Sequence, residues 1–255
     1  MRQLIKYVFY DVLRTRFTLM YTLFLFVSTT AMFQLDNDPG KVILSLLNIV
    51  LLVVPLVSVV FTTIHFFNSY EFIELLLAQP LNRRKIFFSQ YLAVGMSLAI
   101  AYLIGVGLPL LFFGFNLNYF TLLYSGLMLT LVFVSLAFFS SVLTIDKAKA
   151  IGVALLFWFY FALLYDGLLL WIIYTFSDYP MEKVTLFLIA LNPVDLARIL
   201  LLLQLDISAL MGYTGAFYKD FFGSSVGLIF ATCVLSAWIF VPLWAASSLF
   251  NKKDL

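Results

Sequence analysis

Charge is scarce in this chain. Only 11% of its 255 residues are Asp, Glu, Lys or Arg, while 64% are hydrophobic, and the mean hydropathy is +1.08. A soluble domain of this length carries roughly twice that charged fraction, so a water-exposed globular fold is excluded. Cysteine is nearly absent. Cys233 stands alone, which rules out a disulfide framework and any Cys-x-x-Cys metal or redox motif. His65 is the single histidine. There is no Gly-x-x-x-x-Gly-Lys-Ser/Thr phosphate loop, no Gly-x-Ser-x-Gly and no His-Glu-x-x-His. The chain therefore does not hold ATP in the usual way, and catalysis by this polypeptide alone is not expected. Met20, Met32, Met96, Met128, Met181 and Met211 are scattered, without Met-x-Met or Met-x-x-Met pairs. Soft metals prefer clustered sulfur ligands, so neither a metal relay nor another cofactor is expected.

What the chain has instead is long apolar runs. Six stretches are expected to span a membrane as helices: 17–33, 42–67, 87–113, 118–143, 149–176 and 225–249. Each is long enough for a hydrocarbon core of ~30 Å at 1.5 Å per residue. The ~10-residue alternating segments of a β-barrel do not appear. The fold class is therefore an all-α polytopic membrane protein, and residues 1–255 read as a single transmembrane domain. The first apolar run follows sixteen polar and amphipathic residues and lacks a small-residue cleavage site, so it is expected to stay in the membrane. Turn formers at QLDNDPGK (34–41), FNLNY (115–119) and TIDKAK (144–149) make neighbouring spans antiparallel.

Lys and Arg fix the expected orientation. Eleven of them (Arg2, Lys6, Arg14, Arg16, Arg83, Arg84, Lys85, Lys147, Lys149, Lys252 and Lys253) lie on one side of a six-span layout. Four (Lys41, Lys183, Arg198 and Lys219) lie on the other. That bias places both termini in the cytoplasm of a cell (inner) membrane.

Residues 177–224 hold two apolar runs, VTLFLIAL and VDLARILLLLQL, split by Asn192-Pro193. Each is too short to cross. Read as one span, they would carry Asn192, Pro193, Asp195 and Arg198 inside it at several kcal/mol of cost. The better reading is a re-entrant or interfacial helix pair on the outer side. Asn192 is its N-cap, Pro193 its first helical position and Asp195 lies in its first turn. At the other extreme, residues 1–16 form a basic amphipathic helix, with Leu4, Ile5, Val8, Phe9, Val12 and Leu13 opposite Arg2, Lys6, Asp11 and Arg14. A plain positive-inside anchor and a dedicated mechanical part both fit that pattern.

Within the spans, Asp166 is the one clear ionisable group, in FALLYDGLLLW. An intramembrane acid points to a cavity or a subunit interface, with Tyr165 beside it; a protonated carboxyl bonded to backbone or to a Tyr is the bland alternative. His65 lies near the inner end of its span, a depth difference from Asp166 of roughly 18 Å, so a two-residue proton relay is disfavoured. The most distinctive element is residues 68–88, a cytoplasmic coupling loop (68–86) that overlaps the stretch EFIELLLAQPLNRRKIFFSQY (71–91) and reads as helical from Asn68 to Ala78. Phe72, Leu75 and Leu76 are expected on one side of a short helix, flanked by Ile73 and Leu77, with Glu71 and Glu74 on another. Pro80 ends that helix, and Asn82 caps the next, whose first turn holds Arg83, Arg84 and Lys85. Boundary marking accounts for the bases but not for the acids and ordered leucines, which favours a docking element.

That loop resembles the first cytoplasmic loop of the type-2 ABC export permeases, in which Glu-Leu-Leu-Leu, a Pro, a basic cluster and the third span recur. The resemblance extends over essentially the whole chain. YVFYDVLRTRFTLMYTLFL (7–25) and FFNSYEFIELLLAQP (66–80) are similar to the copper-processing branch that serves nitrous oxide reductase maturation. Antibiotic exporters, lipid exporters and gliding-motility permeases share the frame. The resemblance implies a half-transporter that works as a homodimer with two copies of a separate ABC ATPase, which hydrolyses the ATP. Glu71, Glu74, Leu75, Leu76, Gln79, Pro80 and Arg83 would form the ATPase-coupling site. In the copper-processing branch a periplasmic β-helix partner would dock on the outer segment; no nucleic acid is implied. A stand-alone channel or carrier would need charged residues lining the spans, and a passive scaffold would tolerate mutation of both Asp166 and the 71–85 loop.

Overall fold

The computed structural model describes residues 2–36, 38–79, 81–113, 117–176, 179, 182–204 and 225–252. Pro80 and residues 205–224 of the outer segment lie outside the described residues. The described chain is helical: α1 (Arg2–Arg14), α2 (Arg16–Leu35), α3 (Pro39–Asn68), α4 (Tyr70–Leu77) and α5 (Arg83–Tyr102) come first. A wider π turn, π1 (Leu103–Gly107), carries α5 into α6 (Leu108–Phe112). Then follow α7 (Leu117–Leu143), α8 (Lys147–Phe159), a second π turn, π2 (Tyr160–Leu164), α9 (Tyr165–Thr175), α10 (Glu182–Ala190), α11 (Pro193–Gln204) and α12 (Ser225–Lys252). Six helical stretches are long and apolar enough to cross a membrane: Arg16–Leu35, Gly40–Asn68, Arg83–Phe112, Asn118–Leu143, Lys147–Thr175 and Gly227–Lys252. α10 and α11 meet at 115°, the geometry of a re-entrant or broken pair.

Short polar residues start the spans. Asp38 Oδ1 accepts from Gly40 N at 2.9 Å, with Pro39 at the first helical position. Asn82 Oδ1 accepts from Arg84 N at 3.0 Å, and Asp146 Oδ1 from Ala148 N at 2.7 Å. Each satisfies a donor that the helix itself leaves open.

α7 is the axle of the bundle. Within the spans, 72% of its window is buried, against 22% for α2, for α8–α9 and for α12. In lipid no hydrophobic force drives helices together, so close approach through small residues decides which span is central. Gly126 on α7 receives the Tyr102 ring, whose hydroxyl donates to Leu122 O at 3.0 Å; a Cβ at 126 would collide with that hydroxyl. Gly105 in π1 lies against α2, where a Cβ would come within 2.7 Å of Leu25 Cβ. Several hydroxyls along α7 donate to carbonyls of their own helix, as Thr130 to Gly126 and Ser141 to Ala137, which satisfies them without water. The buried Ser125 hydroxyl, by contrast, has no partner among the described residues.

Aromatic pairs mark the two ends. At one end Phe17 of α2 stacks on Phe61 of α3 at 5.0 Å, and Phe87 of α5 meets Phe250 of α12 at 5.3 Å. At the other, Phe33 of α2 stacks on Phe113 at 4.4 Å and meets Tyr119 of α7 edge-on. α4 and the junction of α7 with α8 belong to the first end. The faces turned away from the bundle carry Leu19, Met20, Leu23 and Phe24 on α2, and Phe240 and Val241 on α12. Such faces suit lipid and not water.

α1 packs one face against the bundle. Val8 and Val12 are fully covered, and the Ser97 hydroxyl of α5 donates to Phe9 O at 3.3 Å. Its apolar stripe is spent on protein, while Tyr7 and Tyr10 face outward.

Candidate functional site

The charged joint folds into an elbow. α3 ends at Asn68, Ser69 N donates to His65 O at 2.9 Å, and α4 starts at the next residue. The Ser69 hydroxyl and His65 Nε2 lie 3.4 Å apart, and the imidazole stacks on Phe61 at 5.9 Å. His65 is thus a partnered residue of the bend. Three further contacts fasten the elbow. Phe72 meets Tyr7 of α1 at 5.7 Å, and Lys147 Nζ at the start of α8 donates to Asn68 Oδ1 at 2.7 Å. Ile73 and Leu76 are buried in the common core.

Here the geometry revises the expected face. Leu75 and Leu76 were expected to pack on the same side, but neighbours on an α-helix point about 100° apart. The inward set is Ile73 and Leu76, with Phe72 and Leu77 half-buried. The outward set is Glu71, Glu74 and Leu75, at i, i+3 and i+4, with Leu75 68% exposed. Gln79 is also exposed in the turn that follows, where Leu81 N donates to Gln79 O at 2.6 Å. Arg83 opens α5 half-buried. Leu76 therefore serves this chain's own core, while Glu71, Glu74, Leu75 and Gln79 are exposed.

At the opposite end the structure unites residues that the sequence placed apart. Asn192 Oδ1 accepts from Val194 N at 3.0 Å, capping α11 with Pro193 next and Asp195 in its first turn. Because α11 turns back sharply after that cap, Arg198 reaches α9. Its Nη1 donates to Asp166 Oδ2 at 2.6 Å and to Asp195 Oδ1 at 3.2 Å. Asn192 Nδ2 donates to Asp195 Oδ2 and to Phe161 O, both at 2.9 Å. Phe161 sits in π2, where the wide turn presents its carbonyl to a side chain. The Tyr165 hydroxyl donates to Leu188 O of α10 at 2.6 Å, and Trp238 Nε1 of α12 to Ala190 O at 3.2 Å.

Asp166 pairs with Arg198, and among the described residues its Oδ1 has no hydrogen-bond partner. One guanidinium between two carboxylates leaves the cluster an excess acid. An arrangement of this kind resists desolvation only while all members stay together. It can clamp the re-entrant pair to the fifth span. Among the described residues no group of three His, Cys, Asp or Glu side chains is placed to hold a metal ion. The pairing carried no local signal, since Asp166 and Arg198 are 32 residues apart. The hint was global: the one acid inside a span and the one arginine in the re-entrant pair.

Comparison with known proteins agrees with this layout. Residues 49–255 match the ABC-2 family transporter proteins. The chain is 29% identical over 191 residues to the "Probable ABC transporter permease protein NosY" of Pseudomonas aeruginosa, covering 71% of this chain and 68% of that one. With six apolar spans and a match over most of its length, this multi-pass membrane protein belongs to the ABC-2 transporter family, as a permease subunit.

Proposed function

We propose that this chain is a half-transporter of the inner membrane with both termini cytoplasmic. Two copies pair with two copies of a separate ABC ATPase, and α4 is the element that each ATPase grips. The observation that carries this reading is the elbow. Its outward face offers Glu71, Glu74, Leu75 and Gln79, while its inward face is tied to α1, α3 and α8. A push on α4 is thereby delivered to several spans at once. We assign Arg83 to the same coupling site; Pro80, also expected there from the sequence, lies outside the described residues.

The similarity to a NosY permease supports a role in maturing the copper sites of nitrous oxide reductase. On that reading the segment 177–224 meets a periplasmic β-helix partner on the outer side, with Asn192, Pro193, Asp195 and Arg198 forming the support of that surface. The permease passes conformational work, or a sulfur species, to that partner rather than copper through itself. Copurification in mild detergent is the first test: an ATPase subunit follows the chain if the reading is right, and its absence overturns it. Copper uptake by vesicles that lack the β-helix partner would count against the copper-independent permease.

A further inference from the structure

A groove of about 610 Å³ opens between the first turns of α5 and the last turns of α12. Its two ends differ in chemistry. Arg84, Ser247, Ser248 and Asn251 line the end nearest the helix termini, whereas Trp244 and Phe240 line the stretch further along α12. Phe240 lies eleven positions before Asn251, about 16 Å along a helix axis. The groove therefore runs from the headgroup level into the hydrocarbon. Among the described residues no acidic side chain lines it, and Lys85 and Lys252 adjoin the polar end in sequence.

The polar end is unpartnered. Elsewhere in the spans Ser89, Ser141, Thr232 and Ser236 each donate to a carbonyl one turn back. Among the described residues the side chains of Ser247, Ser248 and Asn251 make no such bond, although Ser247 is only 6% exposed. Arg84 likewise makes no ion pair among the described residues. Ser248 and Asn251 are half-buried and Arg84 is exposed, so their donors open onto the groove and are available to a ligand. Trp244, 74% exposed beside them, is the side chain that favours the boundary between headgroups and acyl chains.

We propose that this groove seats one anionic phospholipid from the leaflet on the α4 side, its phosphate on Arg84, Ser247, Ser248 and Asn251 and an acyl chain along Trp244 and Phe240. The gradient from cation to aromatic matches an amphiphile. A free phosphate ion would leave the apolar half unused. A second copy of the chain docked through the same helices would bring no carboxylate to Arg84, because neither α5 nor α12 contains Asp or Glu. The lipid would bridge α5, which follows the elbow directly, to α12, and so set the spacing of two spans beside the coupling loop.

The test is native mass spectrometry of the full chain in mild detergent, titrated with phosphatidylglycerol and, in parallel, phosphatidylcholine. One phosphatidylglycerol per chain is expected to stay bound while phosphatidylcholine does not. Arg84→Ala should weaken retention about tenfold, as for loss of one charge-assisted hydrogen bond, and Trp244→Ala should weaken it too. Lys41→Ala removes the same charge at the opposite end and should change nothing. Ser248→Leu, which fills the groove, gives an independent reading if Arg84→Ala misfolds. Equal retention of both lipids, or unchanged binding in Arg84→Ala and Ser248→Leu, overturns the proposal. Displacement of the lipid by inorganic phosphate would make the groove an anion site instead. A cross-link between two Trp244→Cys chains that excludes lipid would make it an interface of the chain with itself.

Discussion

Arg198 serves two carboxylates at once, so its removal strands both. Arg198→Leu should destabilise the chain by about 2–4 kcal/mol, because a partly buried charge is left uncompensated. Adding Asp166→Leu should return part of that loss, and the non-additivity, read by thermal unfolding in detergent, measures the pair. A melting point of Arg198→Leu equal to wild type would show that the cluster clamps nothing. Each member was visible in the sequence: Asp166 as the one acid within a span, Arg198 and Asp195 after an Asn-Pro break. Their meeting was not. It depends on the 115° bend between α10 and α11 and on the π turn at Tyr160–Leu164, neither of which local residue patterns encode. Asn192 was the legible part, since a cap is a local device and its chemistry is written in the four residues around it.

On α4 the two neighbouring leucines should separate cleanly. Leu76→Ala opens a buried site and should cost about 2–4 kcal/mol in unfolding experiments, while Leu75→Ala should leave stability unchanged and weaken ATPase capture. Glu71→Lys with Glu74→Lys should fold normally yet lose ATPase stimulation by the permease; stimulation at the wild-type level would remove α4 from the coupling surface. The helix itself was readable, expected from Asn68 to Ala78 and found at Tyr70–Leu77, with Asn82 starting the next one. Its inward face was not, because eight residues give too short a stripe and Tyr7, 65 positions away, helps decide it. The π turns offer a further trial at this scale. Deleting one residue within Tyr160–Leu164 lets that segment relax to an α-helix. The chain should still insert and α9 should keep its facing, because the wide turn holds the extra residue that the deletion removes, but the Phe161 carbonyl is withdrawn from Asn192. A melting point unchanged from wild type would show that this contact contributes nothing.

For the molecule as a whole, six spans and the bias of Lys and Arg predict one location for both ends. A reporter active only in the cytoplasm should work when fused at either terminus and fail when inserted at Asp38. Span number was legible because bilayer thickness sets the same length for every crossing segment. Which span is central was not, since all six are similarly apolar and only close fits such as Tyr102 on Gly126 rank them. That ranking has a consequence for biogenesis. The axle, α7, is the fourth span to be synthesised, so α3 and α5 already wait in the bilayer when it emerges. α12 leaves the ribosome last and meets a face that is already built. A nascent chain stopped before Ser225 should therefore protect the Tyr102–Leu122 contact from protease, making the order of translation a guide to the order of assembly.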